Sequence, residues 1–103
     1  MPAFKAEVAH SLGQAEAIAR LKDFLDRISQ RYKDQVSHLE GQWDDNVLTF
    51  SLTTYGFTLT GTLTVEEESA RVEGQLPFAA VAFRGKIEKS IAEEIEQELN
   101  RPA

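Results

Sequence analysis

The sequence predicts an α+β domain: an antiparallel β-sheet of about five strands with two helices packed on one face, in the order β-α-β-β-β-β-α. The middle third of the chain alternates apolar and polar residues with a period of two, as strands with one buried face do. Short turn-forming sequences separate these segments, so successive strands should pair as an antiparallel meander. The apolar face of such a sheet needs a cover, and segments of helical periodicity on either side supply it.

The first two elements are a strand and a helix. Residues 4–10 alternate and predict the strand. Ser11 is then expected to be the N-cap of the helix, with Gln14 reaching back in a capping box. No proline or glycine follows until well past Lys33, so a single helix is expected up to about that residue. Its core-facing stripe is Ile18, Leu21, Leu25, Ile28 and Tyr32, widened by Ala17 and Phe24.

Four strands are predicted next, over residues 36–43, 47–53, 57–65 and 70–76. The third has the most regular alternation, with threonine at each outward position, where β-branching favours the pleat and the hydroxyl stays in water. Turns are expected at Asp44-Asp45-Asn46, Tyr55-Gly56 and Glu66-Glu67-Glu68-Ser69.

Two inward positions of neighbouring strands carry glycine instead of a large apolar residue. They are Gly61 and Gly74. We expect them to make room for a bulky helix residue or to allow the sheet to bend.

Pro77 ends the sheet, and a second helix is predicted over residues 86–100. Its inner stripe repeats every four residues and is supported by Ala92. Gly85 lowers helix propensity by about 1 kcal/mol relative to alanine, so a break is expected there. The stripe consists of Ile87, Ile91, Ile95 and Leu99.

Composition limits the classes of function. The length of 103 residues predicts a single domain, 1–103. The net charge of −6 disfavours binding of nucleic acid, because binding to phosphates needs clustered Lys and Arg. The chain has no cysteine, which excludes disulfides, thiolate catalysis and Cys-based zinc sites. The sequence shows no secretory signal and no apolar run of the ~20 residues that span a bilayer, so we expect a cytoplasmic protein without a membrane span.

No spacing of residues predicts catalysis, a metal or a cofactor. His10 and His38 occur without the repeated ligands of a metal site, so both are interpreted as structural or solvated. Ser11 lacks the Gly-x-Ser-x-Gly context of an exposed nucleophile, and the glycines form no phosphate-binding loop. We therefore expect a protein that is not an enzyme and takes no cofactor.

The uncharged segment Leu76–Phe83 has two interpretations. In the first interpretation, the segment closes one end of the hydrophobic core, because large apolar residues are usually buried. Alternatively, it forms an exposed apolar patch that docks on a hydrophobic surface or a protein. The contact surface predicted by the second interpretation is Leu76, Phe78, Val81 and Phe83.

Acidic residues crowd the C-terminal half of the second helix, where they oppose the helix dipole. The simpler interpretation is a solvated face. The alternative is an acidic patch for a basic partner, or for cations of a second copy in a symmetric homodimer. The acidic residues are Glu93, Glu94, Glu96 and Glu98, and the candidate cations are Arg20, Arg27, Arg31, Lys86 and Lys89.

Three groups of residues carry a family resemblance over about residues 4–100. They are the opening His10-Ser11-Leu12-Gly13 with Glu16-Ala17; the central Trp43-Asp44-Asp45-Asn46-Val47-Leu48-Thr49-Phe50 and Gly61-Thr62-Leu63; and the closing Leu76-Pro77 with Phe83-Arg84-Gly85-Lys86-Ile87-Glu88, Ile91 and Leu99. With these residues the chain resembles the polyhydroxyalkanoic acid system family, small bacterial proteins linked to polyester storage granules. The resemblance implies a role near polyhydroxyalkanoate metabolism and carries no catalytic residues. Residues 51–60 depart from the family's pattern by forming a longer, more regular strand pair.

Two functions follow as hypotheses from different classes. The first is a non-enzymatic accessory protein that contacts polyhydroxyalkanoate granules or their proteins. The second is a carrier of an apolar ligand, similar to the helix-grip folds; an enzyme acting on hydroxyacyl esters ranks third because no polar constellation supports it. Against the carrier, large residues are expected to fill the space between sheet and helices, namely Phe24, Trp43, Phe50 and Phe57.

Overall fold

The computed structural model describes residues 2–100 and has the predicted α+β architecture. Nine elements follow one another within this range. They are β1 (Ala3–Ala9), α1 (Gln14–Leu21), α2 (Phe24–Arg31), β2 (Val36–Asp44), β3 (Val47–Thr54), β4 (Phe57–Val65), β5 (Ser69–Gln75), a 3-10 helix (Phe78–Phe83) and α3 (Arg84–Leu99).

The five strands form one antiparallel sheet in the order β1-β5-β4-β3-β2. The meander of four successive strands is confirmed, with tight turns at the predicted places. Asp45, Tyr55 and Gly56 all have positive φ, as such turns between antiparallel strands require. The first strand pairs with the last, so β1 and β2 are the two edges of the sheet.

The packed core lies under the β1, β5 and β4 half of the sheet. There α3 contacts both β1 and α1 and closes the apolar face. Burial is nearly complete in this half, which indicates close packing of the kind found in protein interiors. Within residues 2–100, the largest fully buried side chains are Phe4, Leu21, Leu48, Leu63, Leu76, Ile95, Leu99, Val65 and Val72, and of these only Leu48 comes from β3.

The first helix is not continuous. At Asp23 the backbone leaves helical geometry, with φ −101° and ψ 13°, and the predicted single helix becomes α1 and α2. Leu21 and Phe24, on either side of the break, are both buried. The break lets α1 contact α3 while α2 contacts β2 at the far edge of the sheet. The prediction of one helix was therefore wrong, because tertiary packing overrode an uninterrupted local pattern.

The start of α1 also differs from the expected capping box. The cap position is Gly13, with φ 84°, and no side chain caps the helix. Ser11 is exposed, and the Gln14 amide donates instead to the Val65 carbonyl oxygen at 2.8 Å. A left-handed residue at this position suits glycine, so the helix entry is set by backbone conformation and by contact with β4.

Gly74 and Gly61 sit in one row across the sheet, paired in register with each other and flanked by aromatic rings. Gly74 pairs with Phe4 on β1, and Gly61 pairs with Phe50 on β3. A Cβ on Gly74 would lie 2.7 Å from the Phe4 ring and 2.2 Å from the Thr60 carbonyl oxygen. The glycines thus make room for side chains of neighbouring strands, so the expectation that they accommodate a helix residue was wrong. The alternative, a bend of the sheet at these positions, stays a prediction.

The chain after Pro77 forms a short 3-10 helix that continues into α3. The expected break at Gly85 is absent, because this residue lies in the first turn of α3. Apart from its chain neighbours and the backbone of its own helix, no atom lies within 4 Å of the position of an added Cβ. Ala80, inside the 3-10 helix, is buried and anchors the segment against the core.

We expect Gly74→Ala and Gly85→Ala to change stability in opposite directions. At Gly74 the methyl group would press on backbone and on a core ring, so the free energy of unfolding should fall by about 1–3 kcal/mol. At Gly85 the methyl group enters open space on a helix, so the free energy of unfolding should rise by roughly 0.5–1 kcal/mol. Urea denaturation of both variants is the measurement; a Gly74→Ala protein as stable as wild type would contradict the close approach to Phe4.

Candidate functional site

An open cavity of about 720 Å³ lies between the sheet and helices α2 and α3. Its floor consists of buried apolar side chains from the sheet and from α3. The volume is within the range of ordinary ligand sites, roughly 300–1,000 Å³. The floor residues are Leu48, Leu59, Leu63, Val72 and Ile95.

The walls of the cavity are apolar side chains that are only half-buried. They come from α2, β2, β3, β4 and α3. All of them except Val36 and Leu39 pack against the buried core cluster. In a domain with a solid core these positions would be fully buried. The wall residues are Leu25, Ile28, Val36, Leu39, Phe50, Leu52, Phe57, Ile87 and Ile91.

The large aromatic residues do not fill this space, contrary to expectation. The Phe50 ring lies against Gly61, where its Cζ atom would be 3.1 Å from an added Cβ, and Phe57 stays on the wall. Trp43 lies outside the cavity lining and carries the Lys22 ammonium 5.1 Å from its ring centroid, a cation–π contact. Of the four residues expected to fill the space, only Phe24 is buried. The Phe50 and Trp43 rings therefore contact the neighbouring strand and Lys22, and the space between sheet and helices stays open.

The mouth of the cavity is marked by lining residues that are exposed to solvent. They come from the α2–β2 loop, the β3–β4 turn and the segment where the 3-10 helix meets α3. Tyr55 is 76% exposed and Phe83 is 54% exposed, so aromatic side chains stand at two sides of the opening. The exposed lining residues are Gln35, Tyr55, Phe83, Lys86 and Ser90.

Ion pairs join α2 to α3 beside the cavity. Arg27 donates to Glu98 at 2.6 Å, and Arg31 pairs with Glu94. The Tyr32 hydroxyl donates to the same Glu94 carboxylate at 2.5 Å. These contacts fix the separation of the two helices along one wall of the cavity.

The same contacts correct the interpretation of the acidic face as fully solvated. Glu98 is only 4% exposed, and a buried carboxylate requires a partner such as Arg27. The hydrogen bond to Glu94, followed by desolvation, raises the pKa of Tyr32 above its ordinary value. Arg27 and Arg31 are thus paired within the chain, which removes two of the cations considered for a homodimer; the homodimer itself stays a prediction.

The two histidines have different surroundings. The His10 ring lies 3.1 Å from the Glu66 carbonyl oxygen through Nε2, and its Nδ1 accepts from the Leu12 amide at 3.2 Å. This arrangement ties β1 to the end of β4 and gives His10 a structural role. His38 is exposed on β2. Within residues 2–100 no group of three His, Asp or Glu side chains is placed to hold a metal ion.

The predicted contact surface is divided between the interior and the exterior. Leu76 is 0% exposed and belongs to the core, so it does not lie on a surface. Phe78 is 80% exposed, Phe83 is 54% exposed, and Val81 is half-buried. Phe83 also lines the cavity mouth, whereas Phe78 does not. The interpretation that the segment closes the core therefore holds for Leu76 and Ala80, and a contact surface of Phe78, Val81 and Phe83 stays a prediction.

Comparison with known proteins gives a family match and a solved structure of limited similarity. The sequence matches the family described as "Putative polyhydroxyalkanoic acid system protein" over residues 5–99. The structure entitled "Crystal structure of Ara h 8.0201" is similar with a TM-score of 0.43 and 10% identity, over 95% of this chain and 97% of that chain. The comparison with curated proteins gives no match. Among residues 2–100, no helix is both long and apolar enough to cross a membrane.

Proposed function

The chain belongs to the polyhydroxyalkanoic acid system family, and from this premise we propose that it is a non-enzymatic accessory protein that holds an apolar ligand in its open cavity. One observation carries the proposal. A space of about 720 Å³ has a floor of buried Leu, Val and Ile side chains and walls of half-buried ones. Sites that bind small molecules are concave and mostly apolar, with a few polar groups that orient the ligand.

The free energy for binding would come from covering the walls. Each methylene group transferred from water to such surroundings contributes about 0.8 kcal/mol. Half-buried residues on opposite walls, such as Leu52 and Ile91, leave apolar surface in contact with water until a ligand covers it. A carrier therefore fits the lining better than a structural domain would.

The distribution of polar groups supports binding over catalysis. Lys86, Ser90 and Gln35 stand at the solvent-exposed mouth, while the floor offers only hydrocarbon. The Glu94 carboxylate is engaged by Arg31 and Tyr32. Catalysis of ester chemistry needs polar groups converging on the reacting atoms, and this lining separates them from the buried end.

Fluorescence titration with N-phenyl-naphthylamine, a neutral apolar probe, tests the proposal. We expect saturable binding at one site per chain and competitive displacement by decanol. The heat capacity change on binding should be negative, because apolar surface is buried. Probe fluorescence that rises without saturation, or that decanol leaves unchanged, would contradict a cavity ligand.

A second proposed activity is contact with the polyhydroxyalkanoate granule surface, or with a granule protein, in the cytoplasm. The observation that favours it is the exposure of Phe78 and Phe83, with Val81 beside them. Exposed aromatic side chains of this size, close together in the chain, are typical of interaction sites. The two activities are compatible, because Phe78 lies outside the cavity lining.

We expect the purified protein to co-sediment with amorphous polyhydroxybutyrate granules and the double variant Phe78→Ser/Phe83→Ser to lose most of this binding. Both side chains are exposed, so the variant should stay folded, which circular dichroism checks. Polystyrene beads control for non-selective adsorption. The single variant Phe78→Ser distinguishes binding through the exposed surface from an effect on the cavity mouth, because Phe83 lines the cavity and Phe78 does not. Equal binding by wild type and the double variant would reject this surface.

A further inference from the structure

We propose that the cavity selects single-chain amphiphiles with a carboxylate head, that is, medium-chain alkanoates or hydroxyalkanoates, and that the Lys86 ammonium group at the mouth binds the carboxylate. The inference rests on the proposed function, because it assumes that the apolar cavity is a ligand site. It adds the chemical class of the ligand, its orientation, and the residue that recognises its head.

The lining changes from apolar to polar along one direction. Floor residues such as Leu63 and Val72 are buried, and the exposed lining residues carry an ammonium, a hydroxyl and an amide. A molecule that matches both ends has a hydrocarbon tail and one polar head. Such a molecule would place its tail over the floor and its head at the mouth, where water remains available.

Helix α3 supplies both halves of this gradient. Residues four apart on a helix lie on the same face, so two adjacent rows of lining residues run along α3. One row is polar and begins at the mouth; the other is apolar and reaches the floor. The polar row is Lys86, Ser90 and Glu94, and the apolar row is Ile87, Ile91 and Ile95.

The charges of the lining favour an anionic head. Among residues 2–100, Lys86 is the single cation of the lining and Glu94 the single anion. Glu94 is neutralised by Arg31 and hydrogen-bonded by Tyr32, whereas Lys86 forms no ion pair with any residue of the described range 2–100. Lys86 is exposed and is also part of the lining. Long basic side chains often combine an apolar stem that covers hydrocarbon with a charged group that stays in water.

This local cation matters because the whole chain carries a net charge of −6. The overall field repels anions, so attraction of a carboxylate has to come from a group at the site itself. An ammonium group is a hydrogen-bond donor that suits a carboxylate, and a charged pair beside an apolar wall is stronger than one in open water.

Two sources could supply a medium-chain carboxylate. A hydroxyalkanoate is the monomer of the polyhydroxyalkanoic acid that the family description names, and a fatty acid shares its carboxylate and its tail. Displacement of N-phenyl-naphthylamine by decanol, decanoate and β-hydroxydecanoate separates the head-group preference from the tail. Shortening the alkanoate by one methylene should weaken binding about four-fold, the equivalent of about 0.8 kcal/mol.

We expect decanoate to bind several-fold more tightly than decanol. Lys86→Gln should bring decanoate to the affinity of decanol measured with the same variant. Lys89→Gln is the matched control, since Lys89 is an exposed lysine of the same helix that lies outside the lining. A preference that disappears at high salt in wild type would have the same electrostatic origin.

The outcomes separate this inference from the proposed function. If decanol and decanoate bind equally, or if Lys86→Gln keeps the preference, the carboxylate class is wrong and the apolar site stands. If neither displaces the probe, the proposed function falls as well. Tighter binding of β-hydroxydecanoate than of decanoate assigns the monomer as the source, and the reverse order assigns a fatty acid; both orders support the carboxylate class.

Discussion

Ile91→Trp is expected to abolish binding of apolar probes while leaving the protein folded. Ile91 lies half-buried on the α3 wall, midway between the mouth at Lys86 and the floor at Ile95. An indole ring at this position would occupy the volume into which a hydrocarbon tail must pass. Losing contact with three methylene groups at about 0.8 kcal/mol each lowers affinity by about 60-fold, and each further methylene group by about another four-fold.

The same substitution should not reduce stability. In a close-packed core, an enlarged side chain costs about 1–3 kcal/mol because it strains its neighbours. Here the added ring enters open space and buries apolar surface, so the free energy of unfolding should be unchanged or higher. Lys89→Trp, which adds the same ring on the solvent side of α3, controls for non-specific effects of tryptophan.

Two results would contradict the cavity as the ligand site. One is wild-type probe affinity in a folded Ile91→Trp protein. The other is a fall of about 1–3 kcal/mol in the free energy of unfolding, which would mean that Ile91 is tightly packed. Leu52→Phe on the opposite wall provides an independent variant, and it should weaken binding in the same direction.

Leu76→Ala and Phe78→Ala, two residues apart, are expected to differ strongly in stability. Leu76 is 0% exposed and its amide donates to the Pro2 carbonyl oxygen at 2.8 Å, which fixes the chain before the 3-10 helix. Truncation of a fully buried leucine costs about 2–5 kcal/mol, from lost transfer free energy and from the void left behind. Phe78 is 80% exposed, so its truncation should change stability by about 0.5 kcal/mol or less.

Urea denaturation monitored by circular dichroism measures both effects. The midpoint should fall sharply for Leu76→Ala with an unchanged slope, since the surface exposed on unfolding stays nearly the same. Similar losses for the two variants would mean that Phe78 is also packed in the core. In that case the exposed contact surface would be rejected.

The sheet could be predicted from the sequence because its signals are local. Alternation along residues 57–65 and the short turn at Tyr55-Gly56 determine which residues face inward and which strands pair. The helix stripes predict the cover for the same reason. None of these signals reports how far a helix stands from the sheet.

That separation is what creates the cavity, and it depends on contacts between distant residues. Phe4 and Phe50 lie over Gly74 and Gly61, and this row of rings and glycines cannot be read from any single strand. The break at Asp23 likewise follows from where α2 packs and not from a helix-breaking residue. Periodicity predicts which apolar residues face the interior, but it does not predict whether side chains from the helix and from the sheet are close enough to touch.

The ion pairs between α2 and α3 did have a usable signal. Arg27 and Arg31 are four residues apart, and so are Glu94 and Glu98. Matched spacing of opposite charges on two helices that cover the same sheet predicts paired contacts between them. The spacing therefore predicts that Glu94 and Glu98 are neutralised by arginines of the same chain.

Amide chemical-shift mapping by NMR during titration with decanoate tests the cavity as a ligand site most directly. The shifts should be largest at the amides of lining residues, such as Leu52, Phe57 and Ile91, and should saturate together. The packed half around Phe4 and Ala17 should change little. Shifts confined to the exposed surface around Phe78, or no saturable shifts, would contradict an internal ligand.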